Sequence, residues 1–143
     1  MESPEAAWSA DPSDVSSPTI LVVDDDADMR FLARAVLEDS DIVVAGEAAS
    51  GPEAIEKLRE LEAPPVPTVI LLDNQMPGPS GLETAERILA VLPEQLIVLF
   101  SAFLAPDIVE QAKRIGITTC VSKNEAVNLS SIVLDVIGGR RGP

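Results

Sequence analysis

The sequence predicts an α/β fold, a doubly wound parallel sheet built from five strand–helix units. Three observations lead there. Short aliphatic runs alternate with stretches of helical periodicity along the chain, and such alternation with short connections implies a parallel sheet with helices on both faces. The runs are continuously apolar, as strands buried on both faces are. Two of them, Thr19 to Val23 and Thr68 to Leu72, end abruptly in carboxylates, Asp24-Asp25-Asp26 and Asp73. Ligands of such sheets bind outside the carboxyl ends of the strands, so both runs point to one acidic site.

Composition narrows the class. At 143 residues and 46% hydrophobic the chain suits one domain, and with 3% aromatics its core is mainly aliphatic. The net charge of −14 argues against direct nucleic-acid binding, which needs a basic stripe. It favours a cationic ligand or a partner with a basic face. The absence of histidine removes imidazole catalysis and most zinc sites. The single cysteine, Cys120, excludes an internal disulfide and fits a reducing compartment. No stretch has the length of a membrane span and the N-terminus lacks a signal-peptide core, so a cytoplasmic location without membrane contact is expected.

Residues 1–18, rich in Ser, Pro and acids without periodicity, read as a disordered leader. Trp8 within it reads as an unpacked tail residue, with a docking anchor as the alternative. After the Asp24 cluster, Met29, Leu32 and Val36 recur at helical spacing to about Glu38, with Arg30 and Arg34 on other faces and Asp26 or Asp28 as the cap. Ile42 to Ala45 is the second strand. Gly51-Pro52 opens a helix whose apolar face is Ala54, Ile55, Leu58 and Leu61. Pro64-Pro65-Val66-Pro67 is a stiff connector.

The Asp73 strand and the Gly78-Pro79-Ser80-Gly81 turn precede a third helix, Leu82 to Leu92. In this reading Gly81 supplies backbone freedom, and Met76-Pro77 forms the loop. Leu96 to Phe100 is a strand ending in Ser101. Pro106 starts a fourth helix carrying Ile108, Val109, Ala112 and Ile115, and Gly116 stops it. Ile117 to Val121 is the fifth strand, ending at Ser122-Lys123. Leu129, Ile132, Val133, Val136 and Ile137 form the stripe of a last helix, capped by Asn124 or Asn128 and ending at Gly138-Gly139.

Four strand ends thus carry polar groups: Asp24 and Asp25, Asp73, Ser101 and Lys123. The second strand ends in Ala48-Ala49 and offers none. In a sheet of order 2-1-3-4-5 the contributing strands adjoin. Asp25 and Asp73 supply hard oxygen ligands of the kind Mg²⁺ prefers, and without imidazole or paired thiolates zinc and copper are disfavoured. A carboxylate beside Mg²⁺ can attack phosphorus and form an acyl phosphate. Lys123 would pair with a phosphoryl oxygen as a point charge, and Ser101 would donate a hydroxyl to another. The spacing Asp24-x-Asp26-x-Asp28 fails as a calcium loop, because Met29 stands where glycine is needed.

Residues Ile20 to Asp26, then Leu71-Leu72-Asp73-Asn74-Gln75-Met76-Pro77 with Gly81 following, then Ser101-Ala102 and Lys123 together resemble the receiver domain of bacterial two-component response regulators. The resemblance covers residues 19–138, leaving 139–143 as a tail or linker start. It implies a flavodoxin-like fold of order 2-1-3-4-5, with Asp73 as phosphoacceptor. It also implies Mg²⁺ held directly by Asp25, Asp73 and the backbone carbonyl of Gln75, and through water by Asp24. Ser101 would move toward the phosphoryl group and Lys123 would contact it. A sensor histidine kinase or histidine phosphotransfer protein would be the donor. The α4-β5-α5 face would carry the output to a downstream protein or DNA-binding domain that the sequence does not name. Such a domain promotes its own phosphorylation and dephosphorylation but is not a turnover enzyme.

The sequence departs from the common family pattern at three places. Asn124 follows Lys123 where many receivers have a cis proline, a departure shared by receivers that precede LuxR-type helix-turn-helix domains. Cys120 occupies the position of the aromatic switch residue, and Phe103 the position that influences the hydrolytic water. Three other readings stand beside this one. A receiver-like module never phosphorylated would have lost an acidic-site residue, and none is lost. The chain is otherwise the N-terminal fragment of a LuxR-type transcription regulator. A haloacid-dehalogenase-like phosphatase would need threonine where Asp28 stands, and a cap domain.

Overall fold

The computed structural model describes residues 18–61, 67–117 and 119–141, and side chains only as far as residue 139. Residues 1–17 of the leader, with Trp8, the Pro64-Pro65-Val66 part of the connector and the last two residues lie outside the described residues. Five strands, β1 (Thr19–Val23), β2 (Val43–Ala48), β3 (Val69–Leu72), β4 (Leu96–Ser101) and β5 (Thr119–Ser122), alternate with α1 (Ala27–Asp39), α2 (Gly51–Glu60), α3 (Gly81–Val91), α4 (Pro106–Ile115) and α5 (Leu129–Arg141). All strand pairs are parallel and the order is β2-β1-β3-β4-β5, as the sequence predicts. One irregularity interrupts the ladder. Ile20 faces Val44 and Leu21 faces Gly46, which leaves Ala45 as an extra residue in β2.

The continuous apolar runs resolve into two interleaved faces, because successive strand side chains point to opposite sides. Ile20, Val22, Val69, Leu71, Val98 and Phe100 meet α1 and α5 through Ala33, Leu37, Leu129 and Val133. Leu21, Val23, Ile70, Leu72, Ile97 and Leu99 meet α2, α3 and α4 through Ala54, Ala85, Ile88 and Ala112. Burying each large aliphatic side chain favours folding by about 1.5–3 kcal/mol, so strands β1, β3 and β4 form the rigid centre that presents the site.

Helix ends follow the sequence closely. Asp26 caps α1, Ser50 caps α2 with Pro52 in its first turn, and Ser80 and Glu83 form a reciprocal capping box on α3. Gly116 ends α4 in the left-handed conformation at φ 109°. Three expectations are corrected. The buried face of α1 runs through Ala33 and Leu37, while Leu32 is exposed. Neither Asn124 nor Asn128 caps the last helix. Instead a 3₁₀ segment, Lys123–Asn128, follows β5, and the Ser122 hydroxyl accepts from the Asn124 amide at 3.1 Å. Finally, α5 continues through Gly138 and Gly139 to Arg141, since glycine weakens a helix by only about 1 kcal/mol without ending it.

Candidate functional site at the carboxyl ends of the strands

The turn after β1 places Asp24 and Asp25, and the end of β3 places Asp73. Backbone pairing brings them together: Val23 faces Leu72, and the Asp73 amide donates to the Val23 carbonyl at 2.9 Å. Carboxylate oxygens of Asp24, Asp25 and Asp73 lie within 4.8 Å of one another. Asp24 and Asp73 are buried and Asp25 is exposed. Lys123, delivered by the end of β5, donates to Asp24 Oδ2 at 2.8 Å and lies 3.3 Å from Asp73 Oδ2. Ser101, at the end of β4, is fully buried, and its Oγ has no hydrogen-bond partner among the described residues. The sheet order therefore assembles Asp24, Asp25, Asp73, Ser101 and Lys123 at adjoining strand ends, while Asp26 turns away to cap α1 through the Asp28 amide.

The electrostatics reflect crowding of like charges. Burial, and then the neighbouring Asp24, push the Asp73 carboxyl above its ordinary range. Lys123 and the Gln75 amide, which donates to Asp73 Oδ1 at 3.3 Å, pull it back only in part. Burial works to lower the Lys123 ammonium, but Asp24 and Asp73 outweigh it and hold the group above its ordinary value. An acidic cluster of hard oxygens, two of its three carboxylates buried and with one ammonium offsetting part of its charge, fits a small divalent cation such as Mg²⁺.

Phe103 is 69% exposed beyond the end of β4. Cys120 is half-buried in β5, where it lines a shallow pocket with Leu104, Val109, Lys113, Ile117 and Thr119. Burial pushes its thiol above the ordinary value against the pull of Lys113, which suits a packed small side chain rather than a reactive thiolate.

Three contributors escape the sequence reading. Asn74 ties the loop after Asp73 to α3: its carbonyl accepts from the Gly81 amide and its Oδ1 from the Leu82 amide, both at 3.0 Å. Gly81 acts differently from its expected role. It is absent from the positive-φ residues, but a Cβ there would lie 2.3 Å from the Asp73 carbonyl oxygen. The requirement is close approach, not conformational freedom. Arg30, read only as lying on another face of its helix, and Glu47, which the sequence reading passes over, bond to each other at 3.0 Å beside the Asp24 carbonyl. Their signal was an arginine one helical turn into α1 and a lone acid inside the otherwise small, apolar strand β2.

Comparison with known proteins agrees with this architecture. Residues 20–133 match the model of the response regulator receiver domain. The chemotaxis protein CheY of Thermotoga maritima is 33% identical over 97 residues, spanning 68% of this chain and 78% of that protein. A protein-glutamate methylesterase/protein-glutamine glutaminase of Bacillus licheniformis is 41% identical over 83 residues, which is 57% of this chain but 22% of that protein. Among solved structures, the signal receiver domain of the response regulator NarL from Mycobacterium tuberculosis superposes with a TM-score of 0.78 at 30% identity. That superposition covers 87% of this chain and 98% of the other. A LuxR-family response regulator from Aurantimonas sp. superposes with a TM-score of 0.79 at 25% identity, over 87% of each chain. With its sheet order, its strand-end acids and its sequence all in agreement, the chain belongs to the response regulator receiver domain family.

Proposed function

We propose that this domain is a phosphorylation-controlled switch in which Asp73 accepts a phosphoryl group from a histidine kinase or histidine phosphotransfer protein. The observation that carries the reading is the Lys123 ammonium poised against both buried acids, Asp24 and Asp73, with Asp25 alongside. An Asp73 carboxylate oxygen attacks phosphorus, the bond from phosphorus to the donor breaks, and the donor leaves with its electron pair. Asp25, Asp73 and the Gln75 backbone carbonyl would hold Mg²⁺, with Asp24 bonded through water. Mg²⁺ bound there would supply the positive charge that offsets the carboxylate and phosphoryl oxygens. Lys123 then exchanges a carboxylate for a phosphoryl oxygen, and the partnerless Ser101 hydroxyl gains an acceptor. An unpaired buried hydroxyl costs about 1–3 kcal/mol, so that gain biases the chain toward the phosphorylated arrangement. Such bias must appear as differential binding of the phosphoryl group to two conformations. Its readout would be the face formed by α4, β5 and α5, toward a downstream protein or output domain.

Intact mass after incubation with Mg²⁺ and a small acyl-phosphate donor tests the reading. The expected result is a gain of one phosphoryl group, absent in Asp73→Asn and absent with chelator. A wild-type chain that binds Mg²⁺ yet gains no mass, and binds no beryllofluoride, would instead favour a binding module that works without phosphorylation.

Phe103 bears on the lifetime of the phosphate. A bulky apolar ring two residues beyond Ser101 would hinder in-line water and give it no hydrogen bond. Phe103→Glu is expected to shorten the phosphoryl half-life by about fivefold, corresponding to about 1 kcal/mol of barrier. A half-life in Phe103→Glu equal to or longer than wild type refutes the role.

A further inference from the structure

We propose that Arg30 is a positioning residue for the acidic site: held by Glu47, its guanidinium fixes the Asp24 carbonyl and so sets the backbone that presents Asp25. The inference rests on the reading of the acid cluster as an Mg²⁺ site.

Four bonds build the device. Arg30 Nη1 donates to the Asp24 carbonyl at 2.7 Å, and Arg30 Nε donates to Glu47 Oε1 at 3.0 Å. The other Glu47 oxygen accepts from Arg34 Nη1 at 2.6 Å, and Arg34 Nε reaches Glu38 at 3.0 Å. The carboxylate on β2 therefore anchors two arginines of α1, and the inner one reaches past it to the turn. The Arg30 side chain is 20% exposed against 41% for Arg34, so the inner bond is the better shielded from water and salt.

The consequence follows from the peptide planes. A residue's backbone has two soft dihedrals, set by the orientation of the planes on either side of it. On one side of Asp25, the plane carrying the Asp24 carbonyl is held by Arg30. On the other, the Asp26 N–H donates to Asp24 Oδ1 at 2.9 Å. The Asp24 amide itself donates to the Ala48 carbonyl at 3.0 Å, and Asp24 Oδ2 accepts from Lys123. Both planes flanking Asp25 are thus pinned. Asp25 is exposed, so its position depends on this backbone rather than on packing of its side chain. Glu47 also balances the charge of Arg30, which limits any repulsion the guanidinium would exert on a cation at the site.

Arg30→Lys separates geometry from charge. It keeps the positive charge but loses the planar fork that spans Asp24 and Glu47 together. Two readouts on the full chain test the proposal: Mg²⁺ affinity by titration calorimetry, and hydrogen exchange of the Asp26 amide in metal-free protein. Arg30→Lys is expected to weaken Mg²⁺ binding by roughly 3–10-fold, the scale of one hydrogen bond, and to speed exchange at Asp26. Arg34→Lys, which leaves both Arg30 bonds in place, is expected to change neither. Glu47→Gln, which loosens the anchor, is expected to move both readouts in the direction of Arg30→Lys by a smaller factor. Wild-type affinity and exchange in Arg30→Lys overturn the proposal, even if the variant melts earlier. If the wild-type chain binds no Mg²⁺, the metal reading fails, and exchange at Asp26 alone decides the clamp: faster supports it, unchanged overturns it.

Discussion

Lys123→Met is expected to lower the stability of the metal-free chain at neutral pH by about 3 kcal/mol. The Asp24 and Asp73 side chains are 4% and 3% exposed, and the Lys123 ammonium offsets their mutual repulsion. Removing one partner of a buried ionic group leaves its charge uncompensated, and that penalty exceeds what a surface pair would show. The pH dependence has a definite sign. Asp73 is held above its unfolded value by burial and by Asp24, so its ionised form opposes folding at pH above the folded pKa. That opposition fades as pH falls through the folded pKa toward the unfolded one. The loss in Lys123→Met should therefore be largest at neutral pH and shrink on acidification. Lys123 itself is raised from 10.5 in the wild type. Its contribution is complete below that value and disappears as pH rises through the folded pKa, so only the wild type should show this alkaline loss. Mg²⁺ should stabilise both proteins, by about 2.7 kcal/mol at a hundredfold excess over Kd. Urea midpoints across pH, with and without Mg²⁺, measure all of this. A neutral-pH loss below about 1 kcal/mol would show that solvent already screens the pair.

The fold was legible because its two signals are local. Continuous aliphatic runs such as Val69 to Leu72 announce strands buried on both faces, and Gly116 announces a helix end. The acidic site was legible for the same reason. Asp24, Asp73 and Ser101 follow directly on an apolar run, and Asp25 and Lys123 one residue later, so the parallel topology alone gathers them. What escaped depends on contacts between elements distant in sequence. Leu32 reads as core by spacing, but the face that α1 packs on the sheet carries Ala33 and Leu37 and leaves Leu32 exposed. Glu47 looks like a solvated acid until β2 is placed beside α1, where it meets Arg30 and Arg34. Gly138 and Gly139 read as a helix stop, but the Val133 and Ile137 stripe packs against the core and carries α5 through them.

Gly81→Ala is expected to cost about 2–3 kcal/mol and to disturb the acidic site with it. A Cβ at this position would lie 2.3 Å from the Asp73 carbonyl oxygen, 2.7 Å from Asn74 Cα and 2.9 Å from the Asp73 carbonyl carbon. All three are backbone atoms, so no side chain can rotate aside. Either α3 recedes from the sheet, breaking the Gly81 amide's 3.0 Å bond to the Asn74 carbonyl, or the end of β3 shifts and carries Asp73 away from Asp25 and Lys123. Gly78 in the same loop is the control. Its φ is +78° and a Cβ there meets nothing within 4 Å, so Gly78→Ala should cost only about 1–2 kcal/mol of left-handed strain. It should also leave Mg²⁺ affinity unchanged. Urea denaturation and Mg²⁺ titration on the two variants separate the causes. A larger loss in Gly78→Ala, or wild-type Mg²⁺ affinity in Gly81→Ala, would mean that the loop conformation matters more than the contact. The packing of α3 on the Asp73 peptide would then not be what positions the Asp73 carboxylate.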